Sequence, residues 1–191
     1  MRAALRIVER AGMPGLTMRA IASRTGTSHV ALYRHFASKE ELVAAIAETG
    51  FRILRQQLVE VIAKPADPLD QFHRIGLSYI DFAMHYPAYF RIMYARELSQ
   101  RRTHARLQAA AADALALTLQ VIQRGQATGS IVAANPVELA LSGWALTHGL
   151  AVLISDRQFE DAGVSGRRVV ATAMARFHEG LRPPARRRRS R

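Results

Sequence analysis

Cysteine is absent from the 191 residues, acidic side chains are outnumbered 15 to 27 by lysine and arginine, and aromatic residues make up 7%, with a single tryptophan. Without thiols there is no disulfide framework and no thiolate metal site, which agrees with a reducing cytosol. The opening Met-Arg-Ala-Ala-Leu-Arg-Ile-Val-Glu-Arg carries charge every few positions, so no export signal is read there. The longest apolar region, residues 137–154, is interrupted by Glu138, Ser142, Thr147 and His148 and makes a poor membrane span. A soluble, cytoplasmic protein with no membrane partner is expected. Catalytic punctuation is missing too. The seven histidines, at 29, 35, 73, 85, 104, 148 and 178, fall in no His-Glu-x-x-His pattern, and there is no Gly-rich phosphate loop and no nucleophile elbow. The expectation is no enzyme, no catalytic residue, no metal and no cofactor.

What the chain has in excess is positive charge, a formal +12. Residues 182–191 hold six arginines and no acid, so half of the excess sits in the last ten positions. That stretch has no apolar face and is expected to be disordered. It reads either as a solvated C-terminus or as an auxiliary contact to DNA phosphates, which adds affinity without sequence preference. A protein driven by this tail alone would be a nonspecific binder of nucleic acid or anionic surfaces.

Residues 17–39 are the most informative stretch. They read as two short helices joined by Gly26-Thr27-Ser28, with Ile21, Ala22 and Leu32 inward. Gly26 supplies the left-handed backbone a tight turn between steeply crossed helices needs, and Thr17 and Ser28 each stand where a helix begins. The pattern is a helix-turn-helix. Its second helix starts at Ser28 and carries His29, Val30 and Ala31 outward in the first turn, the position that reaches base edges in the major groove. A preceding amphipathic helix from about Arg2 to Ala11, with Leu5, Val8 and Ile7 inward and an end at Gly12, completes a three-helix head. After it, Ser38 and Glu41 are spaced as a capping box for a long connecting helix, about 38–63.

Leu-Thr-Met-Arg-Ala-Ile-Ala, Gly-Thr-Ser and Ala-Leu-Tyr-Arg-His-Phe-Ala-Ser-Lys-Glu-Glu-Leu together resemble the DNA-binding region of the tetracycline-repressor-like (TetR) family. Thr27 departs from it, standing where a small apolar residue is usual, and the basic arm that often precedes the first helix is absent; either its minor-groove contact is missing or the start is truncated. His85-Tyr86-Pro87-Ala88-Tyr89-Phe90-Arg91-Ile92-Met93 and Gly143-Trp144-Ala145-Leu146-Thr147-His148-Gly149-Leu150 resemble the WHG-type regulatory domain of some members. The resemblance implies phosphate contacts from Thr17, Arg19, Ser28, Tyr33 and Lys39 and base reading by His29, Val30 and Ala31, with Thr27 counted in the DNA-binding set. Hydroxyls, an ammonium and a helix N-terminus suit phosphate oxygens, while small apolar groups suit a thymine methyl. Thr17 and Ser28 serve as caps in any case, and Tyr33 can instead pack in the head. His35 either touches the DNA backbone or stands in the hinge.

Lys64-Pro65-Ala66-Asp67-Pro68 breaks the chain, and helices are expected at about 68–85, 87–99, 103–127, 136–155 and 166–180, with no strand alternation. The expected fold is all-α, with a helix-turn-helix head at 1–48, a helical ligand-binding and dimerisation domain at 64–181, and the basic tail. Helix 136–155 is apolar nearly all round and must bury more than one face. A symmetric homodimer through it and the last helix solves this, with Leu141, Leu146, Leu153, Val169, Val170, Ala173, Met174 and Phe177 at the contact. The resemblance implies the same dimer. Phe72, Tyr79, Phe82, Tyr86, Tyr89, Phe90, Met93, Trp144 and His148 can either fill the core or line an apolar pocket, and the resemblance implies effector binding among them. The expected function is a repressor on a palindromic double-stranded operator, released by a small apolar or aromatic effector.

Overall fold

Helix ends in the computed structural model, which describes residues 1–98 and 103–184, fall where capping side chains, prolines and glycines put them. All regular structure among these residues is helical. α1 (Arg2–Gly15) buries Ala4, Ile7 and Val8 and is broken at Gly12, whose φ of 65° and ψ of −173° leave the helix before a last turn containing Pro14. Leu5, expected inward, is half-buried, because the inward face runs through Ala4 and Val8 instead. α2 (Met18–Thr25) starts at Thr17, whose hydroxyl accepts the Ala20 N–H at 3.0 Å, and ends at Gly26 in the left-handed region, φ 66°. Ser28 accepts the Ala31 N–H at 3.1 Å and opens α3 (His29–His35). Met18, Ile21, Ala22 and Leu32 are buried, and that packing holds two helices too short to persist alone.

Ser38 precedes α4 (Lys39–Ala63) and accepts the Glu41 N–H at 3.1 Å. The Glu41 carboxylate, however, accepts from Ala37 N–H at 2.9 Å, one residue earlier than a capping box would use. Asp67 caps α5 (Pro68–His85) through the Leu69 N–H at 2.8 Å. α6 (Pro87–Met93) stops short of the expected end near 99. In an unbroken helix Leu98 would point about 140° away from Met93, at roughly 100° per residue. Both are buried, and the chain achieves this by leaving the helix and turning through a 3-10 turn at Arg96–Leu98. α7 (Ala105–Thr128) follows, and Asn135 caps α8 (Pro136–Ser155) by accepting the Val137 N–H at 2.9 Å. A short α9 (Gln158–Asp161), which the sequence did not suggest, precedes α10 (Gly166–Gly180). Most of the arginine tail, from 185 onward, lies outside the described residues.

Packing gathers these helices into two compact units that interleave along the chain, Met1–Gln56 with Phe82–Ala114, and Gln57–Asp81 with the chain from Leu115 onward. α4, α5 and α7 each contribute to both. In the first unit α1 packs on α2 and α6, and α4 meets α6 at Gly50, where a Cβ would lie 2.6 Å from Met93 Sδ. In the second, α5 meets α8 and α10 at Gly76, where a Cβ would lie 2.5 Å from Met174 Cε and 3.0 Å from Thr147 Cγ2. Leu69, Phe72, Ile75, Val121, Ile122, Leu150 and Ala151 fill the core around that contact.

Candidate functional site

The cap at Ser28 fixes where α3 begins and therefore which side chains stand in its first turn. Val30 is 68% exposed and Tyr33 43%, His29 is exposed, and Ala31 is half-buried. His29 and Tyr33, one turn apart, meet edge-on with ring centroids 4.9 Å apart, so Tyr33 lies along the outer surface of α3 rather than inside the head. Thr17, Arg19, Thr27, Ser28 and His35 are exposed as well. The Thr17 and Ser28 oxygens accept capping bonds, which leaves each hydroxyl proton available to an outside acceptor. Arg24 and Arg34 on the same two helices are also exposed, cations that motif matching passed over. Lys39 differs from the rest. Its ammonium is 3.0 Å from the Glu97 carboxylate, with both side chains about one-third exposed.

The nine residues expected to line a pocket divide between the units, Phe82, Tyr86, Tyr89, Phe90 and Met93 in the first and Phe72, Tyr79, Trp144 and His148 in the second. Phe72, Tyr79, Phe82, Phe90 and Met93 are buried core residues; Tyr89 and His148 are half-buried, and Tyr86 and Trp144 are exposed. Tyr79 ties its group together. Its hydroxyl accepts from Trp144 Nε1–H at 3.2 Å and lies 2.8 Å from His148 Nδ1. The indole can only donate, so the Tyr79 oxygen is the acceptor in that bond, while the direction of the bond to His148 follows the histidine's tautomer.

Two open grooves of about 480 and 490 Å³ lie elsewhere in the second unit, sharing Ile62, Arg124 and Ala127, and neither is lined by those aromatic residues. Buried Gln71 borders the first. Its Nε2 donates to the Ile62 and Lys64 carbonyls at 3.0 and 3.2 Å, and its Oε1 accepts from Arg124 Nη2 at 2.6 Å. Near the start of α5, the His73 ring stands edge-on to His178 of α10 at 5.1 Å, and His178 Nε2 is 3.7 Å from Asp70 Oδ1. Burial, and after it the charge of His178, push His73 below its ordinary 6.5 against an opposing pull from Asp70. Its Nδ1 is buried without a hydrogen-bond partner. Among the described residues no group of three or more His, Cys, Asp or Glu is placed to hold a metal ion.

α8 buries Ala140, Gly143, Thr147, Leu150 and Ala151 and presents Val137, Leu141, Trp144, Val152 and Leu153 outward, each between 36% and 45% exposed. Length and composition alone would let this helix cross a membrane, but its inward row is part of the unit's own core. Of the residues expected at a dimer contact, Leu141 and Leu153 are exposed and Leu146, Val169, Ala173 and Phe177 half-buried, while Val170 and Met174 are buried within the unit.

Residues 1–46 match the model of bacterial regulatory proteins of the tetR family, and residues 72–177, more than half of the chain, match that of the tetracyclin repressor-like C-terminal domain. Over 52 residues the chain is 46% identical to the tetracycline repressor protein class C of Escherichia coli, a match covering 27% of this chain and 24% of that protein, so about a quarter of the curated relative's length is spanned. Among solved structures, a Rhodococcus protein of unknown function superposes with a TM-score of 0.77 at 26% identity over 94% of this chain and 92% of its own. A TetR family transcriptional regulator of Thermus thermophilus (TM-score 0.72, 17% identity, 95% and 97% covered) and a ketosteroid transcriptional regulator of Mycobacterium tuberculosis (0.70, 19%, 96% and 93%) share the fold. With a helix-turn-helix head followed by a helical C-terminal domain, and each half matched by a model of the same family, the chain belongs to the TetR family of bacterial regulatory proteins.

Proposed function

We propose that the protein is a cytoplasmic transcriptional repressor, a binding protein and not an enzyme, that holds a palindromic operator as a homodimer and releases it when a small apolar or aromatic effector enters its helical C-terminal half. The observation that carries this is the first turn of α3, where a 68% exposed valine stands beside an exposed histidine and tyrosine on a doubly capped helix-turn-helix. Val30 and Ala31 suit thymine methyls and His29 a purine edge, while Thr17, Arg19, Thr27, Ser28, Tyr33 and Lys39 suit phosphates. The exposed apolar row of α8 supports a two-fold partner, since a second copy buries it against itself.

Dimeric readers of this type place two recognition helices about 34 Å apart on adjacent major-groove turns. α4 begins just behind α3 and ends in the second unit, so a change there is carried to the head by one continuous helix. A coupling of about 1–3 kcal/mol changes operator affinity roughly 5- to 150-fold, enough to regulate a promoter. The aromatic residues around Tyr79, Trp144 and His148 offer both ring faces and polar tips to such an effector. The test is a footprint on the DNA upstream of the gene. Val30→Arg and Tyr33→Ala abolish protection while leaving the dimer intact; a wild-type footprint from both variants refutes the assignment of α3.

A further inference from the structure

The first turn of α4 is tied at two places to the segment that follows α6. Lys39 Nζ meets Glu97 Oε1 at 3.0 Å, and beside it Glu40 Oε1 meets His104 Nε2 at 3.0 Å. Lys39 occupies the first helical position of α4, where the helix dipole disfavours a cation. It needs an anion to hold it, and an operator phosphate and the Glu97 carboxylate offer the same chemistry to the same ammonium. Glu97 is well suited to the part. A hydrogen bond from its own backbone, then the bond and charge of Lys39 and the charge of Arg96, hold its carboxyl below the usual range against partial burial, so it is an anion at neutral pH.

We propose that Glu97 is an internal competitor for Lys39, a carboxylate that occupies the ammonium in the free protein and has to be displaced by an operator phosphate, so that this residue tunes the strength of DNA binding. The proposal rests on Lys39 being a phosphate contact. Glu97 lies four residues beyond α6, and α6 packs on α1 and against Gly50 of α4. A shift of α6 therefore alters how firmly Lys39 is neutralised, a route from the helical half to the DNA face that does not require the recognition helices to change their spacing.

The experiment uses the full chain and a labelled duplex carrying the segment the wild-type protein protects, with binding measured from 50 to 200 mM salt. Glu97→Gln keeps the size and the hydrogen-bonding oxygen and removes the charge. Because an ion pair whose side chains are about one-third exposed contributes little to stability, the variant folds, and circular dichroism checks this. The phosphate takes Lys39 in both complexes, so the same number of phosphates is neutralised and the salt slope is unchanged, while the variant, with no ion pair to break on either protomer, binds about 2- to 30-fold more tightly at every salt concentration. The gain disappears in the Lys39→Gln background. If Glu97→Gln matches the wild type in affinity while Lys39→Gln alone weakens binding, competition is overturned and the phosphate contact stands. If Lys39→Gln binds like the wild type, the contact itself falls, and the proposal with it.

Discussion

Gln71 is the side chain whose replacement the structure makes most quantitative. It is 5% exposed and holds three hydrogen bonds, two donated to the Ile62 and Lys64 carbonyls at the end of α4 and one accepted from Arg124 of α7. A neutral hydrogen bond contributes roughly 0.5–1.5 kcal/mol net and one from a charged donor roughly 1.5–3 kcal/mol, so the three sum to about 2.5–6 kcal/mol. Arg124 and Lys64 are exposed, and water replaces part of what Gln71 gave them. The expected loss for Gln71→Met, which keeps the volume and removes the polarity, is then about 2–4 kcal/mol. At about 2–4 °C per kcal/mol for a chain of this size, the melting temperature falls by about 4–16 °C. Arg124→Ala leaves the buried Gln71 oxygen without this partner and loses about 1–3 kcal/mol. Urea unfolding of the wild type, both single variants and the double variant closes a cycle whose coupling is expected at about 1–2 kcal/mol, within the range for contacting residues. If each single variant loses less than about 0.5 kcal/mol and the effects simply add, the buried node holds nothing together and the reasoning fails.

Three further outcomes follow from other contacts. His73 has its folded pKa pushed below 6.5, so as pH falls the unfolded chain takes up the proton first; stability is full above about 6.5 and is lost as pH drops below it, and His73→Gln flattens that slope in unfolding curves taken from pH 8 to 5, each pH unit being about 1.4 kcal/mol at most. Trp144 is the single tryptophan and 43% exposed on the outward face of α8, so its emission shifts to the blue as the proposed dimer forms on concentration; Leu141→Glu keeps the emission red and sediments as a monomer, and a concentration-independent spectrum in the wild type argues against that interface. Gly76→Val drives a branched side chain into Met174 and Thr147 and lowers unfolding free energy by about 1–3 kcal/mol, part of which Met174→Ala restores; an unchanged unfolding midpoint contradicts the close approach of α5, α8 and α10.

Local chemistry was sufficient for most helix starts. Thr17, Ser28, Asp67 with Pro68, and Asn135 with Pro136 are start signals that act through their own hydrogen bonds and fixed dihedrals, and Gly26 stops α2 because it alone enters the left-handed region freely, so the sequence determines these ends whatever the rest of the chain does. The outward turn of α3 was legible for the same reason, since the cap at Ser28 sets its phase. The end of α6 was not, because Met93 and Leu98 both had to be buried and only packing could impose that. Nor was it legible that within α8 Leu150 and Ala151 turn into their own unit while Leu141 and Leu153 stay outside, because an all-round apolar helix carries no phase of its own.

By itself the sequence determined that the chain is helical, where most helices begin, and which side chains open α3; these depend on neighbours a few residues away. Tertiary structure alone decided that Glu97 meets Lys39 across 58 positions, that Gln71 joins α4 to α7, and that Tyr79 gathers Trp144 and His148. Such pairings have no local signature, because each depends on two distant helices being brought side by side by burial of residues other than the pair itself.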